Sequence, residues 1–181
     1  MTAPSAAALL DEVIELLYAR HAADAPAAQD ARRDYEDRRG KVHQDDELWE
    51  AWSAAFVEWY VVERVARGQA APPAAATYTA LAEAGDPRAA AVRALLTSQR
   101  SLFEIRAMAR GRVELLDLLG GAAFVVDEQR ALHGVEVGDV AELRLVGVGG
   151  EVRFGRTFIY HPKAARGAIV PFATRILCRS G

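Results

Sequence analysis

Apolar residues recur at helical spacing through the first hundred positions and then switch to alternation, a pattern that predicts helices followed by strands. Leu9, Leu10, Val13, Leu16 and Leu17 make one face of a first helix, which Ser5 can cap and which ends between His21 and Asp24. Pro26 follows, and residues 29–39 crowd Asp, Glu and Arg around Tyr35 before Gly40, a short charged helix and a turn. The strongest helical signal covers residues 48–65. Asp45, Asp46 and Glu47 place negative charge at its start, and Trp49, Trp52, Phe56, Trp59 and Val62 recur in steps of three or four. Every tryptophan of the chain lies in this stripe. Gly68 and Pro72-Pro73 mark a loop, and a helical pair is expected over 74–84 and 87–96, with Gly85-Asp86-Pro87 as the corner.

Beyond Arg100, Leu102 to Arg106 alternates, with Phe103 and Ile105 on one face and Glu104 and Arg106 on the other. Residues 112–118, 122–128, 140–146 and 151–160 supply four further strands, separated by turns at Gly111, Gly120-Gly121, Gly138-Asp139 and Gly149-Gly150. Five short antiparallel strands close naturally into a small SH3-like or OB-like barrel, because closure removes exposed edges. After Pro162 helical spacing returns through Ala165, Ile169, Phe172, Ile176 and Leu177, with Gly167 and Pro171 making it irregular. The expected fold is therefore α+β. A helical lobe over residues 1–100 packs on a five-stranded antiparallel barrel over 101–161, and a C-terminal helical segment over 162–181 packs back on the helical lobe.

A chain of 181 residues with 51% apolar side chains is large enough for a real core. Its net charge of −3 announces neither a polyanion nor a membrane-surface partner. The distribution is uneven: residues 1–100 carry 11 Lys/Arg against 16 Asp/Glu, and residues 101–181 carry 11 against 9. The single cysteine, Cys178, excludes an intramolecular disulfide and a thiolate metal cluster, and it suits a reducing, cytoplasmic setting. The apolar run from Ala6 to Leu10 is broken by Asp11 and Glu12, so neither a signal peptide nor a membrane span is expected.

The four histidines, His21, His43, His133 and His161, have no metal-ligand spacing, and no metal or cofactor is expected. Gly147-Val148-Gly149-Gly150 leads into a strand rather than a helix, so it reads as a hairpin and not a phosphate loop. No G-x-S-x-G elbow supplies a nucleophile, and Cys178 beside Arg175 and Arg179 reads as a packing residue. Glu58 and Glu63 share a helix with Trp59, Tyr60 and Arg64. Glu63 can pair with Arg67 one turn on, whereas an apolar surround at Glu58, or a carboxylate converging on His161, is the remaining route to an enzyme.

Two binding readings compete. Trp52, Trp59 and Tyr60 are the candidate anchors for another protein or a second copy, since Trp, Tyr and Arg dominate binding hot spots. Arg144, Arg153 and Arg156, beside Phe158, Tyr160 and His161, are the candidate contacts for single-stranded nucleic acid. Glu142 and Glu151 interleave with those arginines, and cross-strand ion pairs leave the same pattern with no ligand. A non-enzymatic interaction or regulatory module is the leading expectation.

The blocks Gly40-Lys41-Val42, Phe56-Val57-Glu58-Trp59-Tyr60-Val61, Ser101-Leu102-Phe103-Glu104-Ile105, Asp117-Leu118-Leu119-Gly120-Gly121 and Gly155-Arg156-Thr157-Phe158 occur in an order that resembles an uncharacterised family of bacterial proteins. The resemblance covers roughly residues 35–165. It is distantly similar to the barrel-containing region of SEC-C-motif proteins, whose zinc motif this chain lacks. The resemblance implies the two-part architecture and transfers no catalytic residue.

Overall fold

The computed structural model describes residues 6–22, 24–128, 132, 134–161 and 163–177, so Ser5, His133 and Cys178 lie outside the described residues. The chain is α+β, with five helices, a five-stranded antiparallel sheet and a C-terminal helix. It divides into two compact units, Met1–Thr97 and Ser98–Gly181, and the C-terminal segment falls in the unit that contains the sheet.

The helical unit consists of α1 (Ala6–Ala22), α2 (Ala25–Arg39), α3 (Trp49–Val62), α4 (Pro73–Glu83) and α5 (Arg88–Leu96). Leu10, Val13, Ile14 and Leu17 give α1 a buried stripe, and α1 touches all four other helices. The charged segment is a full helix and not the short one expected, because Pro26 sits in its first turn, where a missing N–H costs nothing. The Asp24 carboxylate accepts from Ala27 N at 3.2 Å and caps that end. At the α4–α5 corner Asp86 accepts from the Arg88 guanidinium and from its backbone N, and these bonds hold the Asp86 carboxyl at about 2.

The sheet unit contains β1 (Gln99–Ala109), β2 (Arg112–Asp117), β3 (Ala123–Asp127), β4 (Val140–Val148) and β5 (Glu151–His161), followed by a short 3-10 turn and α6 (Arg166–Leu177). The strand order is β3-β2-β1-β4-β5, antiparallel throughout. Phe103, Ile105, Leu115, Val126, Leu143 and Phe154 alternate onto one face and form its core. The terminal strands β3 and β5 come into contact, although no hydrogen-bonded ladder joins them among the described residues. Two irregularities interrupt the ladders. One extra residue of β1 lies between Ile105 and Ala107, and Gly155, Arg156 and Thr157 of β5 stand opposite Arg144 alone. Gly149 and Gly150, with φ of 63° and 84°, close the β4–β5 hairpin in two residues, a turn that needs the left-handed region twice.

Candidate functional site

In the helical unit α2 lies along the aromatic stripe of α3. Tyr35 sits with its ring centroid 5.0 Å from Trp52, 5.6 Å from Phe56 and 5.1 Å from Trp59. The Arg32 guanidinium lies 4.8 to 5.2 Å from the ring centroids of Trp49, Trp52 and Phe56. Trp52, Trp59 and Tyr60 are consequently 5%, 9% and 3% exposed. The three residues nominated as partner anchors are core side chains of the chain: α2 covers Trp52 and Trp59, and Tyr60 is stacked on Phe56 and bonded to His21 of α1. The period of the stripe is visible in sequence; which helix covers it is not.

The start of the stripe is open. Leu48 is 59% exposed and Trp49 is half-buried, its ring stacked on Trp52 at 6.0 Å. Before them the chain turns, with His43 N donating to the Asp46 carboxylate at 2.7 Å and Trp49 N to the Asp46 carbonyl at 3.0 Å. Asp45, Asp46, Glu47 and Glu50 are all exposed around this turn, and residues 42–63 contain no Lys or Arg. The acidic trio thus forms the turn ahead of α3 rather than its first turn. Leu48, expected as the start of the helix, lies at the surface just ahead of it.

At the far end of α3, Tyr60 donates to the His21 carbonyl at 3.1 Å, and the His21 imidazole Nε2 meets Thr77 Oγ1 at 3.1 Å. These bonds tie α1, α3 and α4 together. Burial, with Arg20 adding to it, holds the His21 imidazole below its ordinary 6.5, and burial pushes the Tyr60 phenol above 10. The unfolded chain therefore takes up a proton at His21 before the folded one does. Stability is expected to be full above about pH 6.5 and to fall as pH drops through that value toward the folded-state midpoint. Urea unfolding at pH 7.5 and pH 5 checks this. His21→Gln, which keeps a polar partner for Thr77, should flatten the difference, and an unchanged difference would place its origin elsewhere.

The sheet unit treats the basic candidates differently. Arg144 is 2% exposed and donates to Ser98 Oγ at 2.8 Å. The bulge in β5 leaves it without a register partner there, and its β1 neighbour in register is Arg100. Like charges directly opposite repel, and Arg100 is drawn to Glu142 at 3.0 Å instead. A buried, bonded Arg144 is removed from the nucleic-acid set. Arg153 is held by Glu151 at 3.1 Å, whereas Arg156 and Tyr160 are exposed. Glu58 is buried on α3, and His161 is half-buried at the end of β5 opposite Val140.

Three buried carboxylates of the sheet unit, Asp117, Asp139 and Glu104, are committed to structure. Asp117, 1% exposed, accepts from Ser101 Oγ at 2.5 Å, Leu119 N at 2.9 Å and Gln99 Nε2 at 2.6 Å, and so clamps the β2–β3 turn to the start of β1. This explains the Asp117-Leu118-Leu119-Gly120-Gly121 block in physical terms: a Cβ on Gly120 would stand 2.5 Å from Asp117 Oδ2. Asp139 accepts from Glu136 N and Lys163 N, both at 2.7 Å. Glu104 takes two bonds from Arg166, at 3.0 and 3.1 Å, and so fixes the root of α6 on β1.

Among the described residues no group of three or more His, Cys, Asp or Glu side chains is arranged to hold a metal ion, and no helix is long and apolar enough to cross a membrane. No family model, curated protein or solved structure matches the chain.

Proposed function

We propose that this chain is a protein-interaction or regulatory module that docks its partner at the start of α3. The observation that carries the reading is the contrast along one helix: Trp52, Trp59 and Tyr60 are buried, while Leu48 is 59% exposed against a half-buried Trp49. Tryptophan is the residue type most enriched in binding hot spots, and the exposed Leu48 extends the apolar surface beside Trp49. The commitment of Asp117, Asp139 and Glu104 to turn and helix clamps adds support, since each already spends its lone pairs on named donors.

The test is cross-linked affinity capture from native cells with the full chain, comparing Leu48→Ser with Val137→Ser, a substitution at an exposed apolar residue of the sheet unit. Loss of the captured protein with Leu48→Ser alone, at unchanged thermal stability, is the expected outcome. Equal capture by both variants would overturn the reading. The competing single-stranded nucleic-acid reading now rests on Arg153, Arg156 and Tyr160. It predicts a salt-sensitive mobility shift that Arg153→Ala with Arg156→Ala abolishes.

A further inference from the structure

We infer that α2 is a detachable cover: it opens as a unit while α1, α3, α4 and α5 stay packed, and the open form presents Trp52 and Trp59 to solvent. The inference concerns what covers the aromatic stripe and does not depend on docking at Leu48.

Three observations converge on it. α2 is the least anchored helix of its unit, since Ala31 and Tyr35 are its buried side chains among those described, whereas each of the other helices buries at least three. The other four helices pack on one another without it: α1 lies against α3, α4 and α5, and α4 against α3 and α5. The charged fasteners of α2 lie at the surface. Exposed Asp34 accepts from the Arg64 guanidinium at 2.7 and 3.0 Å, and the exposed Arg38 lies 5.9 Å from the Trp59 ring centroid. Water takes over such interactions when the helix leaves, so breaking them costs little. The cover also leaves a polar mismatch beneath it, because Trp52 is buried and its indole N–H has no hydrogen-bond acceptor among the described residues. Opening hydrates that donor. The contacts of the Tyr35 ring with Trp52, Phe56 and Trp59 oppose opening and keep the closed form dominant. The open form is a minor, sub-global state, and access to the aromatic surface is set by an equilibrium within the chain.

Native-state hydrogen exchange of the full chain, with and without Val92→Ala, tests the inference. In the unsubstituted chain the α2 amides are expected to exchange faster than those of α1 and α3. Val92 is fully buried on α5, which packs on α1 and α4. Val92→Ala therefore weakens the closed and open forms alike, and α5 amides should exchange on the order of tenfold faster while α2 amides keep their rate. α2 amides that speed up together with those of α5 would show that α2 opens only with the whole unit, and would overturn the inference. Tyr35→Asp is the converse variant, since a carboxylate cannot sit among the three rings and holds α2 away. Tryptophan emission should then shift to the red and acrylamide quenching should rise, with a cooperative thermal transition retained. Loss of that transition, or unchanged emission and quenching, would overturn the inference as well.

Discussion

Trp52→Ala is expected to destabilise the helical unit by about 3–5 kcal/mol, the usual cost of emptying a large aromatic site in a packed core. The ring it removes touches Tyr35, Trp49 and Phe56 and lies under Arg32, so one substitution strips contacts from both α2 and α3. Trp52→Phe should cost far less, because much of the ring contact survives and the buried indole N–H it discards has no hydrogen-bond acceptor among the described residues. All three tryptophans lie in α3, which makes their fluorescence during urea unfolding a reporter of this unit. A loss of under about 1 kcal/mol for Trp52→Ala would return Trp52 to the surface and with it the anchor role expected from sequence.

Asp117→Ala carries the second large effect, about 3–4 kcal/mol, confined to the sheet unit. Three donors, on Ser101, Leu119 and Gln99, lose their acceptor at once; the exposed Gln99 amide can turn to water, whereas the Ser101 hydroxyl is buried, and a buried donor left unpaired costs more than its bond was worth. Ser101→Ala removes one donor and should cost only about 1–2 kcal/mol. Gly120→Ala attacks the same clamp sterically, since its Cβ meets the carboxylate at 2.5 Å, and about 1–3 kcal/mol is the ordinary penalty for such overpacking. Hydrogen exchange of the β1 and β2 amides reads these losses directly. Exchange unaltered by Asp117→Ala would show that the turn holds without its carboxylate.

Periodicity carried much of this fold. The steps of three and four from Trp49 to Val62 and the alternation at Phe103 and Ile105 reflect the two backbone repeats themselves, so the elements they predict agree with α3 and β1. Boundaries were harder where local chemistry has two uses. Pro26 reads as a stop between helices and acts as a first-turn residue of α2, whereas the acidic run Asp45 to Glu47, expected ahead of the helix, forms the turn before α3.

The candidate site was less legible because burial is a tertiary property. A stripe of aromatics looks the same whether solvent, a partner or α2 covers it, and only the placement of Tyr35 and Arg32 over Trp52 and Trp59, and of His21 against Tyr60, decides that the three are inside. Arg144 presents the same difficulty in a strand. Counted by alternation it belongs with Arg153, which stands opposite Val146, and the bulge of Gly155, Arg156 and Thr157 breaks the count for Arg156; that Arg144 is buried against Ser98 and Arg153 paired along its own strand is not visible in the alternation. The signal that sequence did contain was the run of 22 residues, 42–63, with no Lys or Arg in it, around a leucine that follows three acids.

The account stands on the start of α3 as the docking surface, and photo-crosslinking in cells tests it most directly. With p-benzoylphenylalanine replacing Leu48, ultraviolet irradiation is expected to give one discrete protein adduct, with none when it replaces Val137. An adduct formed at Val137 and not at Leu48 would contradict the account.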